Sequence, residues 1–473
     1  MEIDGTWRSA RRSIYYTTCI GTAVTPFGFG LIAIVMVFLS LANVFVQSGF
    51  NTALIQKKDA DDEDFSSVLY LSISIALLLY LLIFFTSPAI ARFYNDDRLI
   101  IILRVLSVTL FLGAFNSIQN AYVAKNMMFR KLFYSSLGAV LVSGIAGITL
   151  AFAGFGVWAL VTQQLISQLM ICIILWFTVR WRPQVVFSVE KVKSLFNFGW
   201  KLLVSNLLHY LYIDIRTLLI GRLYSSSMLG FYNRGENFPK LIGKNIDGSI
   251  QSVMLPAFSK HQDNRRQLKS MVRRTVKTSS YLIFPAMVGL AVVAEPLVKI
   301  ILTDKWLPSV PFIQIFCITY ALLPIQRVNL QAINAMGRSD IILKLQVIKI
   351  TSGFIVLFFT IPFGVYAIAA GTIISGILAA IINIYPNKKL LEYNYKEQFM
   401  DIIPALLGAV SMGVIVYMVN LISITAGQTL LIQIIIGITV YIALSKLFRI
   451  NSYKYLMETL IDLKIKKRGS NEI

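Results

Sequence analysis

Cysteine and histidine are scarce in this chain, and their scarcity excludes several kinds of site. The three cysteines, Cys19, Cys172 and Cys317, lie far apart, so they indicate neither a disulfide framework nor a metal-ligand spacing. The two histidines, His209 and His261, are too few for a histidine-built metal centre. No GxxxxGK[ST] run is present, so any transport is not driven by an ATPase within this chain. We therefore expect no metal and no cofactor.

Charged residues are also few, whereas apolar residues are abundant. Only 14% of the 473 residues are charged, 56% are hydrophobic, and the mean hydropathy is +0.70. Soluble domains are about 25% charged and about 45–50% apolar. Runs of about 20 apolar residues, the length that crosses a bilayer, recur along the chain. This composition predicts a polytopic membrane protein, and the N-terminus lacks the apolar region of a cleavable signal peptide.

The apolar runs predict thirteen membrane spans, all of them helices. A bilayer offers no water to backbone groups, and the runs are too long and too uniformly apolar for outer-membrane strands. The predicted spans are 28–47, 67–90, 100–122, 134–153, 157–178, 196–220, 228–257, 279–303, 311–335, 341–361, 364–385, 401–420 and 428–446.

Positive charge concentrates in alternate connections between these spans. The most basic is KHQDNRRQLKSMVRRTVK, residues 260–277, which read alone would suit a nucleic-acid partner. The intervening connections are short and nearly uncharged, as in AGFG (153–156) and IPFG (361–364). This alternation is the positive-inside pattern, so it predicts a cytoplasmic loop at 260–277, a basic cytoplasmic C-terminal tail and no nucleic-acid partner. Thirteen spans would leave the basic N-terminus outside, unless a short polar segment at 13–29 adds a further span.

An internal repeat has an offset of 208 residues. It relates Pro88 to Pro296, NMMFR (126–130) to NAMGR (334–338), and FGVWA (155–159) to FGVYA (363–367). Six predicted spans separate equivalent positions, so both halves enter the membrane from the same side, and substrate sites are expected at the interface of such parallel repeats. We predict two parallel six-helix lobes plus two C-terminal helices. The predicted divisions are an atypical N-terminus with a degraded first span (1–27), an N-lobe (28–180), a C-lobe (194–385), two additional helices (397–447) and a basic cytoplasmic tail (448–473).

Two consecutive spans carry charges that should not face lipid. A charged residue at a helix centre costs about 2.5–3.5 kcal/mol by insertion scales. We therefore predict a solvated cavity with excess positive charge, suited to phosphate or pyrophosphate, and with tyrosines suited to sugar rings. Internal ion pairing, of Arg234 with Glu236 or of Lys244 with Asp247, is the alternative. A weaker polar patch around Arg327 would contribute from the second lobe, and Gln168 is expected to form an interhelical hydrogen bond.

Four segments resemble the Wzx-type polysaccharide flippases of the multidrug/oligosaccharidyl-lipid/polysaccharide exporter superfamily. They are GFYNRGENFPKL (230–241), AEPLVKIILTDKWLPSVPFIQI (294–315), NAMGRSD (334–340) and FGVWALV (155–161). The resemblance implies two six-helix lobes with two further helices and cytoplasmic termini. It also implies movement of an undecaprenyl-pyrophosphate-linked oligosaccharide across the bacterial inner membrane by alternating access, for O-antigen, exopolysaccharide or capsule. The chain departs from the family in its first span, which is shortened and polar.

The expected partners are therefore a polyprenyl-pyrophosphate-linked glycan, the lipid bilayer and a polysaccharide polymerase. The predicted substrate-binding residues are Arg234, Lys240, Lys244, Arg216, Lys201, Tyr232 and Asn233. The candidates for ion coupling or cavity ion pairs are Glu236, Asp247, Asp214 and His209. His209 alone suits a packing role better than proton relay. No catalytic residue is predicted. A cation-coupled drug exporter is the alternative within transport, and a membrane polysaccharide polymerase or ligase is disfavoured because the outward loops are short.

Overall fold

The computed structural model describes residues 24–47, 50–57, 59–261, 263–422, 425–448, 450 and 452–458. Within these ranges the regular secondary structure is helical, as predicted. The degraded first span predicted for the N-terminus lies largely outside the described residues.

Long helices make up both halves of the described chain. In the first half they are α1 (Pro26–Gln47), α2 (Phe50–Gln56), α3 (Asp62–Tyr94), α4 (Arg98–Leu106), α5 (Thr109–Lys125), α6 (Phe129–Phe152), α7 (Val157–Thr178), α8 (Val189–Leu223) and α9 (Ser226–Ser259). In the second half they are α10 (Arg265–Val292), α11 (Ala294–Ile301), α12 (Val310–Ala321), α13 (Leu323–Ala335), α14 (Ser339–Thr360), α15 (Val365–Leu390), α16 (Tyr395–Met418) and α17 (Ala426–Leu447).

Eleven helical segments of the described chain are long and apolar enough to cross a membrane. They cover eleven of the thirteen predicted spans. The other two predicted spans, 196–220 and 228–257, lie on α8 and α9, which are long helices that carry charge. The all-α polytopic fold class is therefore confirmed, and α8 and α9 are the two helices that must keep polar groups out of lipid.

Short polar residues set where several helices begin. Asp61 caps α3, accepting a hydrogen bond from the Asp64 backbone N–H at 2.8 Å while the Asp64 side chain accepts one from Asp61 N–H. Asn264 caps α10 by accepting from Gln267 N–H at 3.1 Å. That cap starts the helix at Arg265, so most of the basic run predicted as a loop is helical.

The described residues form two compact units, one up to Asn233 and one from Arg234 onward. The limits predicted from the sequence repeat, 28–180 and 194–385, differ from this division because packing groups α8 with the first unit. There, Lys191 of α8 pairs with Asp61 and Glu63 at 2.6 Å each, and Asp214 of α8 accepts a 2.7 Å hydrogen bond from Ser40 Oγ of α1. These polar contacts tie α8 to α3 at one end and to α1 further along.

The repeat is visible in equivalent hydrogen bonds within each unit. In the first unit, the Asn116 side chain of α5 donates to the backbone carbonyl of Gln168 in α7 at 3.1 Å. In the second, the Gln326 side chain of α13 donates to the carbonyl of Gly376 in α15 at 3.0 Å. The two acceptors are 208 residues apart. Asn116 also donates to Gln168 Oε1 at 3.0 Å, so the predicted interhelical role of Gln168 is confirmed.

Each unit has its own apolar core near an ion-paired end. In the first, Phe65 of α3 packs against Tyr122 and Trp181, with ring centroids 5.4 and 5.9 Å away. In the second, a larger core of α10, α13, α16 and α17 includes Phe284 and Met412. Because these cores fix the helices, charged residues at their ends are held in register for pairing.

The basic run 260–277 supplies such pairs in the second unit. Lys269 lies 3.0 Å from Glu397, and Arg273 and Lys277 lie 2.5 and 3.0 Å from Asp401. These three cations recur every four residues and so share one face of α10. Part of the basic run therefore holds α16 against α10, in addition to its predicted topological role.

Candidate anion-binding site

A cluster of charged residues lies on α9, α13 and α14 of the second unit. It begins on α9, where Lys240 Nζ lies 3.2 Å from Glu236 Oε1, one helical turn away. The Tyr320 hydroxyl of α12 donates a 2.9 Å hydrogen bond to the same carboxylate oxygen. Arg234 is two residues from Glu236 and faces another direction, so the pairing of Arg234 with Glu236 considered above does not form.

The second pair of the cluster joins α9 to α13. Arg327 Nε lies 3.6 Å from Asp247 Oδ2, and the arginine side chain is half-exposed whereas the carboxylate is largely buried. Asp247 therefore pairs with Arg327 in place of Lys244. The expectation that the polar patch around Arg327 contributes to the same site as α9 is met within this unit.

Two further lysines complete the cluster. Lys244 is exposed one turn beyond Lys240, within electrostatic range of Lys240, Glu236 and Arg327. Lys349 is half-buried on α14, within electrostatic range of Arg327. Lys349 was missed in the sequence analysis, although a lysine in the middle of an apolar span is itself a signal of function.

The charges of this cluster do not balance. Lys240, Lys244, Arg327 and Lys349 face two carboxylates, Glu236 and Asp247, so two positive charges are in excess. Ammonium and guanidinium groups on membrane-depth helices form strong charge-assisted hydrogen bonds to phosphate and carboxylate oxygens. The arrangement is chemically suited to hold an anion.

Arg234 and Tyr232 occupy a different environment. Only 3% of Arg234 is exposed, and its guanidinium carbon lies 5.8 Å from the centre of the fully buried Trp306 ring. Tyr232 is likewise 3% exposed, and the amide nitrogen of Asn233 is buried. Six residues of helix turn Arg234 about 120° away from Lys240, which places the two on different faces of α9. The single polar stripe expected on this helix therefore begins after Arg234.

The α8 residues of the predicted site lie in the first unit. Arg216 has its guanidinium carbon 5.4 Å from the centre of the Tyr212 ring, one turn earlier, and Asp214 accepts the hydrogen bond from Ser40 described above. All three α8 residues are half-buried. The side chains of Lys201 and His209, the other predicted residues of this helix, lie outside the described part of the structure. Among the described residues, no three His, Cys, Asp or Glu side chains come together as a metal site.

Residues 23–311 match the model of the family described as "Polysaccharide biosynthesis protein". The chain belongs to this family. It is 26% identical over 418 residues to the Bacillus subtilis teichuronic acid biosynthesis protein TuaB, covering 85% of each chain. It is 23% identical over 417 residues to the Escherichia coli lipopolysaccharide biosynthesis protein WzxC, covering 84% of this chain and 83% of WzxC.

A solved structure of the lipid II flippase MurJ, in an inward closed conformation, has the same fold. Its TM-score is 0.79 over 96% of this chain and 98% of the MurJ chain, at 17% sequence identity. The resemblance to Wzx-type flippases predicted from the sequence is confirmed. This family member is a multi-pass membrane protein of polysaccharide biosynthesis with the fold of a flippase.

Proposed function

We propose that this protein moves an undecaprenyl-pyrophosphate-linked oligosaccharide repeat unit from the cytoplasmic to the periplasmic leaflet of the bacterial inner membrane. The repeat unit is then polymerised into a surface polysaccharide such as O-antigen, exopolysaccharide or capsule. Membership of the polysaccharide biosynthesis family carries the proposal. The names of TuaB and WzxC, both biosynthesis proteins of surface polymers, and the fold shared with MurJ support it.

The charged helices suggest how the chain handles such a substrate. The pyrophosphate and the sugars are polar and must cross a region where an unpaired charge is costly. In this proposal Lys240 and Lys244 of α9 and Arg216 of α8 contact the pyrophosphate or acidic sugars as the protein alternates its access between the two leaflets. Arg234 and Tyr232, which are buried, support α9 from behind.

A deletion strain tests the transport step directly. Without the protein, we expect surface polysaccharide to be lost and lipid-linked repeat units to accumulate on the cytoplasmic leaflet, where an impermeant glycan-labelling enzyme added to intact spheroplasts cannot reach them. Re-expression of the wild-type chain restores both. Repeat units that accumulate unpolymerised but accessible from outside would instead identify a polymerase or ligase, and unchanged polymer would contradict the proposal.

The cluster also distinguishes this function from export of cationic drugs. Two excess positive charges in a region of low dielectric repel a cationic compound. Overexpression is therefore expected to leave resistance to cationic drugs unchanged. A reproducible rise in resistance would favour the drug-exporter alternative.

A further inference from the structure

The second-unit cluster contains two kinds of cation. Lys240 and Arg327 each have a carboxylate partner, Glu236 and Asp247 respectively. Lys244 and Lys349 make no ion pair with any described residue, although both lie close to other positive charges. The paired cations are largely neutralised in place, so a bound anion would gain most from the two lysines that lack a partner.

The position of Lys349 makes its lack of a partner costly. It lies at the middle of α14, ten residues after Ser339 and eleven before Thr360, on a helix apolar enough to cross the membrane. It is half-buried, so its ammonium group is not simply extended into water at the helix end. An ionisable residue at such a depth marks a substrate or ion pathway unless it has a structural partner, and here Arg327, itself a cation, is the charged neighbour.

We propose that Lys244 and Lys349 are the two cations that hold the anionic part of the substrate. The proposal rests on the function proposed above and deepens it. The Arg327–Asp247 pair connects α9 to α13, and Arg327 is within electrostatic range of both lysines. Two unpaired ammonium groups match the two negative charges of a diphosphate diester. They would also match acidic sugars, because both groups present oxyanions to an ammonium donor.

Binding to the purified, full-length protein in lipid nanodiscs tests the proposal. The probes are undecaprenyl diphosphate, which has no sugar, and a soluble uronic acid oligosaccharide, which has no phosphate. K244Q and K349Q are each expected to weaken binding of at least one probe by about tenfold or more, the value of one charge-assisted hydrogen bond. The probe affected identifies the source of the anion, and either result supports the assignment.

Matched variants separate this role from a structural one. Lys344 is exposed on the same helix, so K344Q is expected to bind both probes as the wild type does. K349R keeps the charge and is expected to retain binding. Because Lys349 lacks a described ionic partner, K349Q is expected to keep or raise the melting temperature, whereas loss of a structural lysine would lower it.

Two results would overturn different statements. Wild-type binding of the probes that persists unchanged in both K244Q and K349Q would overturn this assignment and leave the proposed flippase function standing. A wild-type protein that binds neither probe, in a strain whose surface polysaccharide survives its deletion, would overturn the proposed function and this assignment with it.

Discussion

Asp61 and Lys269 are 208 residues apart, the offset of the internal repeat, and carry opposite charges at equivalent positions. Each pairs with the helix that packs beside it in its own unit. Asp61 lies 2.6 Å from Lys191 of α8, and Lys269 lies 3.0 Å from Glu397 of α16. Lys191 and Glu397 are themselves 206 residues apart, so the two units use one type of contact with reversed polarity. A reversed pair lets α8 and α16 each distinguish its own partner helix, because the wrong pairing would place like charges together.

This polarity predicts the outcome of a charge exchange. K269E should lower the stability of the purified protein by about 1 kcal/mol, because it places a carboxylate beside Glu397. K269E/E397K should recover most of that loss. K269E/E295K should not recover it, because Glu295 pairs with Lys299 alone among the described ion pairs. Thermal unfolding in detergent measures all three, and equal recovery by both double variants would contradict the specific pairing.

Asp401 is predicted to be the most important carboxylate of the second unit for stability. It is 7% exposed and accepts hydrogen bonds from Arg273 and from the Tyr393 hydroxyl, while Lys277 also lies 3.0 Å away. D401A leaves these donors without their acceptor, so we expect a loss of about 3 kcal/mol in the free energy of unfolding. D340A, which breaks an exposed pair, should change little. A similar melting temperature for the two variants would be the contrary result.

The cap at the start of α3 is predicted to depend on pH. The Lys191 ammonium, hydrogen-bonded to the Asp61 carboxylate, lowers the pKa of that carboxylate to about 2 from 3.8. Because the folded-state pKa is depressed, the pair's contribution is complete above pH 3.8 and is lost as the pH falls through about 2. D61N keeps a capping acceptor and removes only the charge. The difference in melting temperature between wild type and D61N should therefore shrink between pH 4 and pH 2; a constant difference would show that the charge is not responsible.

Arg234 is predicted to act through packing. Since it is buried beside Trp306, R234A should lower stability by about 3 kcal/mol and reduce the amount of protein in the membrane. K244Q, at an exposed position, should leave the amount of protein unchanged. Quantitative blotting of membranes and thermal unfolding measure the difference. A stable R234A protein that fails in transport would instead return Arg234 to the substrate-binding residues predicted from sequence.

Two glycines allow α1 and α9 to cross with their backbones in contact. A Cβ on Gly30 would lie 1.7 Å from the Ser226 carbonyl oxygen, and a Cβ on Gly230 would lie 2.0 Å from the Pro26 carbonyl oxygen. The contact is reciprocal, each glycine facing the first residue of the other helix. G230A should cost about 1–3 kcal/mol because the helices must separate. G427A, in the first turn of α17 with open space around it, is the control. A melting temperature that is the same in both variants would contradict the close crossing.

Much of the fold could be predicted because a bilayer imposes a simple rule on sequence. Apolar runs of span length must be helices, so eleven of the thirteen predicted spans appear as apolar helices of sufficient length. The offset between repeats was also readable, and the acceptors Gln168 and Gly376 lie at that offset. Element ends were less accurate, since the side chain of Asn264 starts α10 fourteen residues before the predicted span.

The site was predictable only in part, because a linear pattern of charges does not specify partners. Sequence alone determined that α8 and α9 carry charges unsuited to lipid, and that positive charge exceeds negative charge across the chain. Tertiary structure decided that Glu236 pairs with Lys240, that Asp247 reaches Arg327 on another helix, and that Arg234 is buried. It also brought Lys349 to the cluster from a helix distant in sequence. Helical periodicity places residues on faces of one helix, whereas only the packing of several helices decides which face meets another charge and which is buried.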